Sequence, residues 1–529
     1  MSPSVSRRQF TAASLASSVM AASASIATAQ DATPAATPVT DGPDAAGRVA
    51  AAVDQIPALA QGYIDRTGLP GVGVGVVFQD QVIFAGGFGE REVGTGNTVD
   101  AETVFQLASV SKPLSSTVIA SIVGDGEVSW DTRMVDIDPS FALSDPWVTA
   151  NVTIADLFSH RSGLADHAGD LLEDLGGNRE EILHRLRYLE PEYPFRAGYA
   201  YTNFGLTAAA VAAAGAVGQS FEDLADDVLF GPLGMNDSSF RFSDYASREN
   251  RALLHVQQDG EWVQAFERQP DAQTPAGGAS SSVRDMAQWI RLQLGQGMVD
   301  GTQVIDAGAL GMTHLARAIS NMPDPPYNQV PGFYGLGWNV GYDPDGSVNL
   351  SHSGAFALGA ATAVFLRPGQ GLGVVVLTNG YPIGVAESLS LDFLDLALYG
   401  DIRFDYLPIL GNILEAQSAP PYGDAIQVPP DDPAPPLALD AYLGSYANDF
   451  FGDLEITFED DETLSMRLGP AGMIFPLTHF NRDVFVYTPT GENGWADSAV
   501  TFTMDPDGLA SHVVVENLDI HGAGTFRRE

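Results

Sequence analysis

Apolar residues recur at helical spacing through Val49, Val53, Ile56, Leu59 and Ile64, which predicts an amphipathic helix from near Arg48 to Gly68. Two apolar runs follow, residues 71–78 and 81–87, around a Gln-Asp-Gln turn, and they read as a β-hairpin. A longer helical pattern spans residues 104–123, with Leu114, Val118, Ile119 and Ile122 on one side, and Gly124-Asp125-Gly126 stops it. Pro113 fits that helix only near its first turn, where a missing N–H costs no intrahelical bond, so Ser109 falls at the helix N-terminus. Helical spacing then dominates residues 154–158, 179–188, 207–216, 221–229 and 283–294. Strand patterns return at residues 350–355, 361–366 and 372–377, the last two flanking the turn Arg-Pro-Gly-Gln-Gly. Sheet at both ends with helices between predicts one α+β domain, residues 47–405, whose terminal segments share a sheet.

Residues 406–436 read as a linker, because seven prolines fall between Pro420 and Pro436. Beyond it, residues 452–458, 464–468, 483–487, 499–504 and 511–515 alternate polar and apolar positions between turns, which predicts a small all-β barrel over residues 437–529. No internal repeat of 20–50 residues is visible.

The first residues form a segment of another kind. Ser6-Arg7-Arg8-Gln9-Phe10 precedes an uncharged run of small and apolar residues that ends in Ala27-Thr28-Ala29, the pattern of a twin-arginine export signal cleaved before Gln30. Residues 30–46, rich in Ala, Thr and Pro, read as a flexible tether. The expected location is therefore periplasmic, cell-surface or extracellular. No stretch is long and apolar enough to be read as a membrane span. The formal net charge of −42 and the lack of any basic run disfavour binding to nucleic acid or to an anionic membrane surface. The chain has no cysteine, so disulfides, thiolate nucleophiles and cysteine metal sites are excluded.

The cations carry the sharpest signal. Of 25 lysines and arginines, one is a lysine, Lys112, and a serine stands three positions before it in Ser109-Val110-Ser111-Lys112. Arginine keeps its proton in a protein, whereas a desolvated lysine can lose it. Ser109 and Lys112 lie one helical turn apart and share a face. A neutral amine there can take the hydroxyl proton as the serine attacks a carbonyl, an assistance worth about 10²- to 10⁴-fold in rate. His160 and His167, with Asp166 and Asp170 nearby, invite a metal reading but lack the helical i, i+4 spacing of zinc pairs, and no metal or organic cofactor is expected.

Two further motifs follow in order, Tyr201-Thr202-Asn203 and His352-Ser353-Gly354. With Ser109-x-x-Lys112 they make the chain resemble the serine β-lactamase and penicillin-binding-protein superfamily, in its class C-like branch of DD-peptidases, D-aminopeptidases and esterases. The likeness runs from Arg48 to Gly400 and includes Leu157-Phe158-Ser159-His160-Arg161-Ser162-Gly163-Leu164, Gly231-Pro232-Leu233-Gly234-Met235, Ala276-Gly277-Gly278 and Tyr334-Gly335-Leu336-Gly337-Trp338. It implies an antiparallel sheet flanked by helices, with a helical lobe. It also implies that Ser109 is acylated, that Lys112 activates it and that Tyr201 shuttles a proton to the leaving group. Asn203 would orient the substrate amide, and His352, Ser353 and Gly354 would contact substrate, His352 near its carboxylate. The backbone N–H groups of Ser109 and Ala355 would form an oxyanion hole. Residues 437–529, with Tyr442-Leu443-Gly444-Ser445-Tyr446 and Gly452-Asp453-Leu454, resemble a lipocalin-like tail, which implies a part in assembly, as a homo-oligomer, or in access to the active site. Histidine where the antibiotic-degrading members usually carry lysine shifts the expected activity toward a peptidase or amidase on small or short-peptide substrates. A carboxylesterase or weak β-lactamase stays open, as does, in another class, a decayed binding protein whose barrel holds a ligand.

Overall fold

The computed structural model describes residues 45–323, 330–343, 346–459, 463–494 and 496–529. The expected export signal and most of the tether lie outside the described residues.

The first helix, Ala45–Thr67, buries Val49, Ile56, Ala60 and Tyr63 along one stripe. The hairpin strands Gly71–Phe78 and Gln81–Gly89 are joined at Gln79 and Asp80, both at positive φ (48° and 62°), the twist a two-residue hairpin loop requires. Gly71–Phe78 also pairs antiparallel with Leu372–Thr378, Val72 opposite Thr378, so the two ends of the domain meet in one sheet, as expected. That sheet has eight strands. Its order runs from Gln81–Gly89 through Gly71–Phe78, Leu372–Thr378, Ala360–Arg367, Val348–Phe356, Asn339–Tyr342 and Gly332–Tyr334 to Ala318–Asn321. Leu372–Thr378 is buried on both faces: Val374 and Val376 pack toward Ala45–Thr67 and Val385–Tyr399, while Val375 and Leu377 join the core of the helical side. Central strands of this kind read as unbroken apolar runs.

Two expectations are corrected. Residues 104–107 are not helical: Phe105–Gln106 pairs with Ser280–Ser281, Ala108 sits at φ 46°, and the helix proper is Ser111–Gly124. A left-handed residue cannot continue into a right-handed helix, so the helix starts after it, with Pro113 in its first turn. Residues 406–436 are not linker throughout, since Tyr406–Gln417 is a helix that buries Tyr406, Leu410 and Leu414 in the core shared with Val385–Tyr399. Pro408 masked that four-residue spacing in the sequence, yet it is harmless near a helix start.

The C-terminal segment closes into an eight-stranded antiparallel barrel. It adds Gly444–Asn448, Met473–Asn481 and Thr525–Arg528 to the strands read from sequence, and Tyr446 opposite Arg528 seals the ring. Its interior is packed with aromatic rings, among them Phe485 edge-on to both Tyr442 and Phe502, which are tilted against each other.

Candidate active site at Ser109 and Lys112

Ser109 occupies a single 3-10 turn, Ala108–Val110, immediately before the buried helix Ser111–Gly124. Two contacts hold the turn against the sheet. Thr362 donates to Leu107 O at 2.7 Å, and Gly354 comes so close that an added Cβ would lie 2.2 Å from Leu107 O and 2.8 Å from Ser109 N. Only glycine permits this approach, and it brings Ala355 to the wall of the cleft beside the partly exposed Ser109.

Lys112 is wholly buried. Its Nζ lies 2.7 Å from Asn203 Oδ1, 2.9 Å from Ala276 O and 3.0 Å from Ser109 Oγ. Burial pulls its pKa well below the ordinary lysine range, against an opposing pull from Asp170. A neutral amine has two N–H donors and one lone pair. Asn203 Oδ1 and Ala276 O accept both donors, so the lone pair is left for the Ser109 hydroxyl. The Asn203 amide is held that way round because its Nδ2 donates to Asp170 at 2.8 Å. Asn203 is thus the first residue of the helix Asn203–Ala216 without serving as its cap, since Thr202 takes that place and offers no side-chain bond.

Tyr201 is also buried, with Lys112 Nζ 4.5 Å from the centre of its ring. Its hydroxyl faces Ser109 without a well-formed hydrogen bond, and burial raises its pKa far above the usual phenol range. The two histidines flagged in the sequence pin this segment from both sides. His160 Nδ1 accepts from Thr202 N at 3.2 Å, and His167 N donates to Tyr201 O at 2.7 Å. The His160 ring packs tilted against those of Tyr201 and Tyr334, with centres 4.6 Å and 4.8 Å away.

The third motif lies differently from its expected role. His352 is buried, its Nε2 is 2.9 Å from Tyr334 Oη and its Nδ1 is 2.7 Å from Ser353 O. Burial pushes it down to about 3, so it is neutral, with both nitrogens engaged. Neither a charge nor a free donor is left for a substrate carboxylate. Ser353 points to the buried Glu387 carboxyl of the helix Val385–Tyr399, and its side chain forms no part of the cleft wall. Gly354 acts through its lack of a side chain, and Ala355 lines the cleft.

Sequence reading missed the far wall of the cleft. Phe450, Phe451, Glu492, Leu518 and His521 of the barrel face Ser109 across it. Asp174 anchors the barrel loop by accepting from Glu492 N at 2.9 Å, Asn493 N at 3.0 Å and Asn493 Nδ2 at 2.7 Å. Gly491 stands at φ 92°, where a Cβ would lie 2.3 Å from Asp174 Oδ1. Glu492 accepts from Ala357 N, and its other oxygen lies 3.8 Å from Arg268, which pairs with Glu173 at 2.6 Å. No sequence pattern joins Asp174 to Glu492, 318 residues away.

A family model described as Beta-lactamase matches residues 49–394, and one described as a domain of unknown function (DUF3471) matches residues 428–525. Penicillin-binding protein 4 of Amycolatopsis lactamdurans is 30% identical over 331 residues, 61% of this chain and 84% of that protein. Unguisins hydrolase ungD′ of Aspergillus campestris is 26% identical over 477 residues, 85% of this chain and 86% of that one. The octameric penicillin-binding protein homologue from Pyrococcus abyssi shares the fold with a TM-score of 0.56 at 19% identity, covering 90% of this chain and 99% of that one. A class C β-lactamase from Rhodobacter sphaeroides does so at 0.53 and 22%, covering 65% and 98%. The chain therefore belongs to the β-lactamase family and is a serine hydrolase related to the penicillin-binding proteins.

Proposed function

We propose that the protein is a peptidase or amidase of the D-aminopeptidase or DD-peptidase type, working through an acyl-enzyme on Ser109. The observation that carries this is the Lys112 amine, with both its N–H groups taken and its lone pair turned to Ser109 Oγ at 3.0 Å. Ser109 attacks the scissile carbonyl as Lys112 takes its proton. The oxyanion is held by the N–H groups of Ser109 and Ala355, where loss of one donor costs about 3 kcal/mol. Tyr201, a phenol in the resting site, passes its proton to the departing amine as the Lys112 ammonium returns one to it, so that amine and phenol are both restored. A water then attacks the acyl-enzyme and releases the acid.

The surroundings favour the aminopeptidase side of that reading. His352 offers no charge to a terminal carboxylate. The cleft is lined by four carboxyl side chains, Asp166 and Asp170 beside His167 and Glu173 and Glu492 beside Arg268, against those two cationic groups, and this acidic excess supports a substrate bearing a free amine. A second reading, a carboxylesterase, is favoured by the apolar wall of Phe356, Phe450, Phe451 and Leu518. A panel of D- and L-amino-acid anilides, N-blocked anilides, short acyl esters and a chromogenic cephalosporin, with Ser109→Ala as blank, decides between them. Free-amine anilides should turn over at the highest kcat/KM. Efficient turnover of esters alone would overturn the peptidase reading. Export through the twin-arginine signal is part of the same proposal. A mature N-terminus at Gln30 in the exported fraction supports it, and retention of full-length chain in the cytoplasm would refute it.

A further inference from the structure

Four residues that the sequence offered as a metal cluster are drawn together by the fold into two other arrangements. His160 packs under Tyr201, while Asp166, His167 and Asp170 lie on the far side of Asn203 from Lys112. A continuous hydrogen-bonded path runs from the buried amine outward to the partly exposed His167 at the cleft. Lys112 Nζ donates to Asn203 Oδ1 at 2.7 Å, Asn203 Nδ2 donates to Asp170 Oδ2 at 2.8 Å, and the same oxygen takes His167 Nδ1 at 2.6 Å. The catalytic scheme above uses the first two members of this path and leaves the last two unexplained.

We propose that Asp170 and His167 are positioning residues for the general base: Asp170 fixes the Asn203 amide, and the His167 imidazolium balances the Asp170 carboxylate so that Lys112 stays an amine. The inference rests on the acyl-enzyme reading of Ser109 and Lys112. The two requirements pull against each other, which is why both residues are needed. A carboxylate is the acceptor that holds Asn203 Nδ2 outward and leaves Oδ1 for Lys112. The same negative charge, acting on a fully buried amine, favours an ammonium at Lys112. An ammonium would spend all three N–H groups on Asn203, Ala276 and Ser109 and keep no lone pair for the hydroxyl proton. A positive group bonded to Asp170 on its other side removes the conflict, and His167 occupies that place.

The other groups that face this pair fit the assignment. Asp166 Oδ2 stands 4.0 Å from His167 Nε2, and because burial pushes this carboxyl up to about 7 it favours the imidazolium as a second negative neighbour above that pH. Glu192 accepts from Asp166 N at 3.2 Å, and His521 of the barrel faces Asp166, His167 and Asp170. Burial opposes a charge on His167, and Lys112 would add to that only as an ammonium, while His160 is itself held neutral by burial. The carboxylates prevail: His167 is raised to about 9 despite its burial. The Tyr201 ring lies 5.6 Å from His167 and carries no charge.

The test is the pH dependence of Ser109 acylation, read as the rate of labelling by a fluorophosphonate from pH 4 to 10. Wild type is compared with His167→Asn, Asp170→Asn and the double variant, each checked for cooperative unfolding. Asparagine suits position 167 because His167 sits at φ 55°, which asparagine tolerates well. In His167→Asn the acid limb should move up by about one pH unit or more, a loss of about tenfold per unit on that limb. In the double variant, with neither charge present, the limb should return toward that of wild type, and in Asp170→Asn it should move down. An unshifted limb in folded His167→Asn, or a double variant as shifted as the single one, overturns the proposal. If His167→Asn does not fold, an unmoved or raised limb in Asp170→Asn overturns it. Absence of any Ser109 label in wild type is a different result, since it overturns the hydrolase reading itself.

Discussion

The two domains bury their interiors in opposite ways. The hydrolase domain keeps a connected polar network at its centre, from Ser109 through Lys112, Asn203 and Asp170 to His167. Among its described residues the barrel buries three polar side chains, Ser465, Ser498 and Asn517, and otherwise fills itself with Tyr442, Tyr446, Phe485, Phe502, Phe526 and aliphatic neighbours. The difference separates two uses of a core. A connected polar network sets the protonation state of one amine, which an apolar interior cannot do. The barrel turns its polar chemistry to its rim, where Glu492, Leu518 and His521 complete the wall of a cleft belonging to the other domain.

The comparison breaks first at the network. Ser109→Ala should abolish acyl-enzyme formation, and Lys112→Arg, which cannot accept a proton, should lower kcat by about 10²- to 10⁴-fold with the fold intact. Stopped-flow acylation and mass spectrometry of the adduct measure both. The barrel interior should respond in stability instead. Phe502→Ala, opening a cavity among Tyr442, Tyr446 and Phe485, should cost about 3–5 kcal/mol in denaturant unfolding. Activity per folded molecule should change little. At the seam, Asp174→Ala strips the barrel loop of three acceptor contacts, each unmade bond costing about 1–3 kcal/mol if its partner stays buried. Faster limited proteolysis at the 491–493 loop and a raised KM are expected, with kcat less affected.

The smallest effect is a pH dependence at the same seam. Burial pushes Asp174 up to about 6 and Glu492 to about 7. The folded protein therefore holds protons there that the unfolded chain releases at its ordinary carboxyl range. This contribution to stability is complete below that range and is lost as pH rises through 6 to 7. Thermal unfolding followed from pH 4 to 8 should show Tm falling across that window. Glu492→Gln, which does not ionise, should flatten the fall, and an identical slope would remove Glu492 from the account.

Local pattern determined a good part of this protein. Helical spacing from Val49 to Ile64, the Gln79-Asp80 turn, the apolar run of the strand Leu372–Thr378 and the isolated lysine three places after a serine were all legible, because each depends on neighbours within a few residues. Tertiary contact decided what distance in sequence hides. Ala108 takes a left-handed conformation under the strand at Gly354 and starts the helix later than its spacing suggests. His352 is neutral and turned to Tyr334 because burial outweighs its affinity for a proton, which no motif encodes. Asp170 meets Asn203 across 33 residues and Asp174 meets Glu492 across 318, so neither pairing leaves a periodic trace. The sequence supplied the reacting groups. Whether the amine among them carries a proton follows from the dielectric and charges that folding gathers around it.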